Sequence, residues 1–413
     1  MTELVVGFIP LLDCACLAVA RERGFAEEEG VTLTLVRESS WANIRDRLVV
    51  GHFDAAHMLG PMTVASTLGI GHIRVPLVAP FALGLGGNAI TVSTAVREEM
   101  RSHGATLSGR LGAGTGAKVA GEALRRVVLA RARSGLAPLT FGMVYPFSCH
   151  NYELRYWLAA SGIDPDHDVR LVVIPPPLLD DSMRAGYIDG FCVGEPWNSV
   201  AVEAGAGSIL LATSAIWRLS PEKVLGCRAD WAERRPGELA ALLRSLYRAS
   251  AWCDDPGNHA ELARLLAGPR YVGESAELLE RVLANRPVLS KGEAPTRIGD
   301  FYLPFAHAAT FPWVSHALWF YSQMVRWGQV AWSDEQVELV RGTYRPDLYR
   351  AALAPFDLDL PAVDTRVEGG ASAPIASSKG TMLFEHDGFF DGRVFDSSEL
   401  RAYTAGFGGM TRG

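Results

Sequence analysis

Apolar positions in the first part of the chain fall into short β-branched runs separated by stretches of helical period. Residues 4–9 read as a strand, and Asp13 stands where it can cap a helix running to about Gly24. Residues 31–36 read as a second strand. Ser40 can cap a second helix through Trp41, Ile44 and Leu48, with Gly51 ending it. Residues 54–59 form a short strand, Pro61 opens a third helix, and residues 75–79 form another strand. This β-α-β-α-β order predicts a parallel sheet covered by helices.

A second region repeats the pattern, with strands at 139–144, 169–174, 191–193 and 209–212, and helices at 151–160 and 178–185. Between the regions lie a strand at 89–93 and a helix at 118–133. Gly51, Asp54 and Pro61 recur as Gly186, Asp189 and Pro196, each 135 residues later. Gly, Asp and Pro all favour turns, so coincidence is the competing reading. Taken as a true repeat, it predicts two similar α/β lobes with a ligand cleft at the strand ends. Beyond about residue 221 the apolar spacing is helical, over 236–253, 259–266, 276–284, 313–327 and 334–340. Trp313, Ala317, Phe320, Met324 and Trp327 form a helical stripe that reads as core before it reads as a partner groove. Residues 369–378 are small and low in charge and read as a flexible linker to a C-terminal tail.

Composition narrows the classes. The chain has 413 residues, 48% apolar and 21% charged, which fits a globular protein and excludes disorder and coiled coil. Lys and Arg number 39 against 46 Asp and Glu, a net charge of −7 that argues against direct nucleic-acid binding and a polybasic membrane surface. The uncharged stretch at 75–96 carries Pro76, Pro80, Gly84, Gly86, Gly87 and Asn88, too many breakers for a membrane span. Two buried strands joined by a glycine turn fit it better. Residues 1–13 lack the basic and apolar regions of a secretory leader, so the expected location is cytoplasmic. The six cysteines are scattered in apolar runs and read as buried free thiols.

Catalytic constellations are weak. Residues 112–117 match G-x-G-x-x-A, but no acidic residue follows at the spacing a dinucleotide site needs, and Ala117 breaks a Walker loop. Cys149 and His150 are neighbours whose side chains point apart, which disfavours a nucleophile–base pair. His52 and His57 lie on different elements, so no metal site is expected. No enzyme activity and no cofactor are expected either. Ser39, Ser40 and Trp41 open a helix, where free N–H groups favour an anion. Taken singly, Trp41 reads as core, His150 as a satisfied polar group, and Lys223 as a solvated surface charge.

Longer motifs change that weighting. Gly7-Phe8-Ile9-Pro10-Leu11-Leu12-Asp13, Ser40-Trp41-Ala42-Asn43-Ile44-Arg45-Asp46, Asp54-Ala55-Ala56-His57-Met58-Leu59, Gly194-Glu195-Pro196-Trp197-Asn198 and Ala309-Thr310-Phe311-Pro312-Trp313, followed by Ser315-His316-Ala317-Leu318-Trp319, occur in that order. In these the chain resembles the nitrate- and bicarbonate-binding proteins of ABC transporters (NrtA/CmpA type) over nearly its whole length. The resemblance implies an α/β, two-lobed periplasmic-binding-protein-like fold of type II, with parallel sheets flanked by helices and a helical C-terminal part. Residues 1–87 would begin lobe 1, 88–213 form lobe 2, 214–368 complete lobe 1, and 369–413 form linker and tail.

By motif position the resemblance implies an anion held by Trp41, His150 in Ser148-Cys149-His150-Asn151, and Lys223 in Pro221-Glu222-Lys223. Asn88 falls where the family has a Gln one methylene longer. Ser40, Glu195 and Trp197 would support them. Nitrate is a planar monoanion without protons and needs donors. Lys223 would supply charge, His150 and Asn88 directed donors, and Trp41 an indole wall or N–H. The family's bicarbonate binders carry a carboxylate where this chain has Lys223, so the ligand expected is nitrate or nitrite. The cytoplasmic branch of the resemblance is the NasS-type nitrate/nitrite sensor, whose partner is a NasT-type (ANTAR-like) RNA-binding antiterminator. The alternative is the substrate-binding component of a nitrate or bicarbonate ABC transporter.

Overall fold

The computed structural model describes residues 1–71, 74–104 and 114–407. Two five-stranded sheets dominate it. In spatial order the first contains Val31–Arg37, Thr2–Phe8, Ala55–Leu59, Lys223–Arg228 and Leu77–Ala82. The second contains Gly207–Ala212, Asn88–Ser93, Gly190–Gly194, Leu139–Met143 and Val169–Val173. Helices flank both, giving the α/β periplasmic-binding-protein-like architecture.

The sheets are mixed, which corrects the parallel expectation. Thr2–Phe8 pairs in parallel with both its neighbours, as does Leu139–Met143 in the second sheet. Lys223–Arg228 runs antiparallel to both of its neighbours, and Asn88–Ser93 likewise. The reversals come from crossings between the sheets. The chain leaves Leu77–Ala82 through Gly84, Gly86 and Gly87, enters Asn88–Ser93, and returns after Ala212 to place Lys223–Arg228 back in the first sheet. Gly86 has φ 66°, and a Cβ there would stand 2.4 Å from the Phe301 carbonyl oxygen, so only glycine fits this crossing.

The repeat is structural. Val6 pairs with Ala55 and Gly7 with Ala56; Phe141 pairs with Gly190 and Gly142 with Phe191. Every residue of the second set lies 135 beyond its counterpart. Asp54 Oδ2 accepts the Val5 N–H at 2.9 Å, and Asp189 Oδ2 accepts the Thr140 N–H at 2.8 Å. Gly7 leaves room for the ring of Phe53, and Gly142 for Leu179 and Ile188.

Other differences from the sequence reading have local causes. Asp13 does not cap a helix: Leu12–Cys14 is a 3-10 turn, Ala15–Glu22 follows, and the Asp13 carboxylate turns inward to Lys223. The stretch 369–378 is no open linker, because Ala373–Ser377 pairs antiparallel with Gly380–Phe384. Beyond it, Phe389, Phe390, Phe395 and Leu400 are buried, and Phe389 stacks on Trp217 with centroids 4.5 Å apart. Residues 112–113 of the glycine-rich turn lie outside the described residues, as does the chain end at 408–413; Gly114–Arg133 is a helix. The stretch 75–96 forms two strands, and no helix among the described residues is long and apolar enough to cross a membrane. Trp313, Ala317, Phe320 and Met324 are all buried as core, and all six cysteines are buried and free.

Asp54 also accepts the Trp231 indole N–H at 2.9 Å, so its loss leaves two donors without a partner. Asp54→Ala is expected to lower stability by about 2–3 kcal/mol in urea unfolding. His52→Ala, at an exposed position nearby, should change it by less than about 0.5 kcal/mol.

Candidate functional site

Four residues anticipated from the sequence come together where the two sheets meet. Trp41 is the first residue of the helix Trp41–Val49, entered through Ser40, whose hydroxyl accepts the Asn43 N–H at 3.3 Å. His150 is the second residue of Cys149–Ala160, capped by Ser148, which accepts the Asn151 N–H at 3.1 Å. Asn88 opens its strand opposite Gly194. Lys223 opens the returning strand opposite Leu59. All four side chains are buried, which overturns the single-residue reading of Lys223 as a surface charge.

Lys223 survives burial because carboxylates surround it. Its ammonium lies 2.7 Å from Asp13 Oδ2 and also contacts the Glu222 carboxylate. It stands 5.9 Å from the centroid of the Trp41 ring. Burial alone would lower its pKa, but Asp13 and Glu222 outweigh that and hold it above the usual lysine range. Asp13 is the mirror case: burial would raise it, and Lys223 and His57 hold it well below the carboxylate range. His57 Nε2 is 3.0 Å from Asp13, its Nδ1 accepts the Ile9 N–H at 3.4 Å, and its ring meets Trp41 edge-on. Burial lowers the pKa of His57 and, further, that of His150, where Lys223 adds to the effect. Both imidazoles are therefore neutral near pH 7.

On the second-sheet side, Asn88 Nδ2 donates to Glu222 Oε1 at 2.7 Å and to Glu153 Oε2 at 3.3 Å. The amide hydrogens assigned to a ligand from the sequence are thus engaged by the protein's own carboxyls. Asn88 Oδ1, both ring nitrogens of His150 and the Trp41 indole nitrogen are buried without a hydrogen-bond partner. Such groups are costly unless something satisfies them. A Cβ on Gly194 would stand 3.3 Å from Asn88 Oδ1 and 3.5 Å from the Lys223 ammonium, so glycine keeps this corner clear.

The three supporting residues act at a distance from these groups. Ser40 is the helix cap described above. Trp197 donates its indole N–H to the Pro10 carbonyl at 3.1 Å, and the Glu195 carbonyl accepts the Leu12 N–H at 2.8 Å. They tie the turn bearing Asp13 to the second sheet. The Glu195 side chain accepts the Ser199 N–H at 3.2 Å, and burial pushes its pKa up to about 7. Sequence reasoning missed Asp13, His57, Glu153, Gly194 and Glu222 as parts of the site. Four of the five sat inside the quoted motifs, so their presence there was the available signal. Farther along the helix that Trp41 opens, Arg45 donates to the Tyr145 hydroxyl across the lobes, beside a cavity of about 270 Å³ that none of the four residues lines.

The arrangement places one ammonium, two neutral imidazoles and an indole N–H together at a buried junction. Comparison with known proteins gives the family. The model of the NMT1-like family matches residues 1–267. The chain belongs to the NMT1-like family. It is 32% identical over 414 residues to the nitrate/nitrite binding protein NrtA of Synechococcus elongatus, covering 98% of this chain and 85% of that one. It is 37% identical over 352 residues to the nitrate import ATP-binding protein NrtC of Synechocystis, covering 85% of this chain but spanning only 50% of that longer protein. The crystal structure of the periplasmic nitrate-binding protein NrtA from Synechocystis superposes with a TM-score of 0.83 at 26% identity, covering 98% of both chains. The NrtA proteins it resembles are named as binding proteins, not as enzymes.

Asp13→Asn removes a charge from the Lys223 cluster and should destabilise the protein by about 3–5 kcal/mol at pH 7. Because the folded pKa of Asp13 is depressed, its contribution is complete above the unfolded value of 3.8 and fades as pH falls below it. Urea midpoints of wild type and variant should differ by a constant amount between about pH 5 and 7 and converge under acid.

Proposed function

We propose that the cleft binds nitrate or nitrite, and that the chain is the substrate-binding part of an ABC-type import system. The observation that carries this is the buried Lys223 ammonium, with the unpartnered nitrogens of Trp41 in its own lobe and of His150 from the other lobe at the same junction. Nitrate accepts hydrogen bonds at three oxygens and donates none. A Lys ammonium has three hydrogens, two of which meet Asp13 and Glu222 here, leaving one to point at a ligand. Neutral His150 offers one N–H and Trp41 another. The names of the similar proteins, NrtA and NrtC, support both the ligand and the import role.

The NasS-type reading uses the same site and differs in what the closed form meets. In it the chain is cytoplasmic, and anion binding releases a NasT-type antiterminator. The names of the relatives favour the import reading over it. Either role needs a conformational equilibrium that the anion shifts by binding one state better.

Calorimetry is expected to show saturable nitrate or nitrite binding, with bicarbonate and sulfate much weaker. Lys223→Ala and His150→Ala should each weaken it, Lys223→Ala by at least about a hundredfold. Unchanged affinity in both variants rejects the site. For the role, co-purification with the membrane-embedded permease of the import system supports the first reading. A complex with the antiterminator that nitrate dissolves would replace it by the second. There, linkage requires the antiterminator to weaken nitrate binding by the same factor.

A further inference from the structure

In the structure, donors from both lobes already converge on a single anion, and it is a protein side chain. Glu222 is buried. Its carboxylate accepts from Asn88 Nδ2 at 2.7 Å, contacts the Lys223 ammonium, and has His150 Nε2 3.7 Å away. A carboxylate is a flat, delocalised monoanion on a trigonal centre, as nitrate is. We propose that binding is an exchange: the incoming anion takes over the donors that Glu222 holds, and Glu222 takes up one proton from solvent as it gives them up. This rests on reading the cleft as an anion site.

Charge counting motivates the proton. With Glu222 ionised, the form that its contacts with the Lys223 ammonium and the Asn88 amide favour, Asp13 and Glu222 are negative, Lys223 is positive, and His57 and His150 are neutral. Glu153 is raised to about 8, first by burial and then by the Glu222 charge, so near pH 7 it is already protonated. The cluster therefore carries one net negative charge. A second anion with no added proton would make it two, in a dry site holding one cation. Protonating Glu222 restores the original balance.

The groups facing Glu222 leave few other acceptors for that proton. From its own strand there is Lys223, from the 3-10 turn Asp13, and from the helix Cys149–Ala160 there are Cys149, His150 and Glu153. Tyr344 packs from beyond the helix Asp334–Arg341. Cys149 and Tyr344 are pushed up by burial and stay neutral. Burial lowers His150 well below its usual range. Asp13 is held well below the carboxylate range, while burial, opposed by Lys223, leaves Glu222 raised. Glu222 is thus the ionised group nearest to accepting a proton when negative charge arrives.

The test is calorimetric titration of the full chain with nitrate, nitrite and formate between about pH 5.5 and 7.5, where Glu153 stays protonated, in two buffers of different ionisation enthalpy. Above the pKa of Glu222, proton uptake should approach one per anion, with affinity falling by up to about tenfold per pH unit. Glu222→Gln should take up no proton and bind with a nearly flat pH profile. Wild-type binding with no proton uptake and no pH dependence overturns the exchange, and this needs no variant. Uptake unchanged in a folded Glu222→Gln overturns it too. If formate alone binds, with one proton, the nitrate assignment falls while the exchange stands. If no anion binds, both fall.

Discussion

A lysine ammonium with no access to water is the constraint on which the site depends. Taking a full charge out of solvent is costly unless it is paired and hydrogen-bonded. Lys223 meets that condition only because Asp13 arrives on a 3-10 turn and Glu222 on the adjoining residue. Each of these in turn reaches a further partner: Asp13 lies against His57, and Glu222 receives the Asn88 amide from the other sheet. The same contacts therefore join the lobes, through the Asn88 amide on Glu222. Removing Lys223 would leave two buried carboxylates without a counter-charge.

The route of the chain makes this possible. Each lobe contains the same parallel strand pairing, held by an aspartate that accepts a backbone N–H of the neighbouring strand, Asp54 from Val5 and Asp189 from Thr140. Two such units alone would give two parallel sheets. The glycine crossing into Asn88–Ser93 and the return into Lys223–Arg228 add reversed strands. Those strands begin with Asn88 and Lys223, so the crossings deliver both residues to the junction.

The C-terminal segment supports the site from behind. Arg366, Glu368 and Asp387 form a buried ion cluster, with Ser315 donating to Glu368 at 2.6 Å and His316 3.3 Å from it. Phe389 packs on Tyr156 with centroids 5.4 Å apart, and Tyr156 lies on the helix whose first turn carries His150. The segment thus braces that helix against Val314–Arg326, whose Trp319 also meets Tyr156 and Phe389.

Periodicity and turn residues in the sequence determined most elements, the helical stripe from Trp313 to Met324 and the 135-residue repeat, because these are local properties of spacing and backbone preference. Motif order pointed to Trp41, Asn88, His150 and Lys223, and the fold gathers them. Tertiary structure decided what each one does. Asp13 has the sequence of a helix cap, but a buried ammonium outcompetes the backbone for its carboxylate. Asn88 looked like a donor to a ligand, but two carboxyls from distant elements claim its hydrogens. Strand direction could not be read locally, because it depends on which face the chain enters after crossing between sheets. The order of the C-terminal segment was hidden for a related reason. Its aromatic residues follow no period, and they become core only through Trp217, Tyr156 and Trp319, far away in the chain.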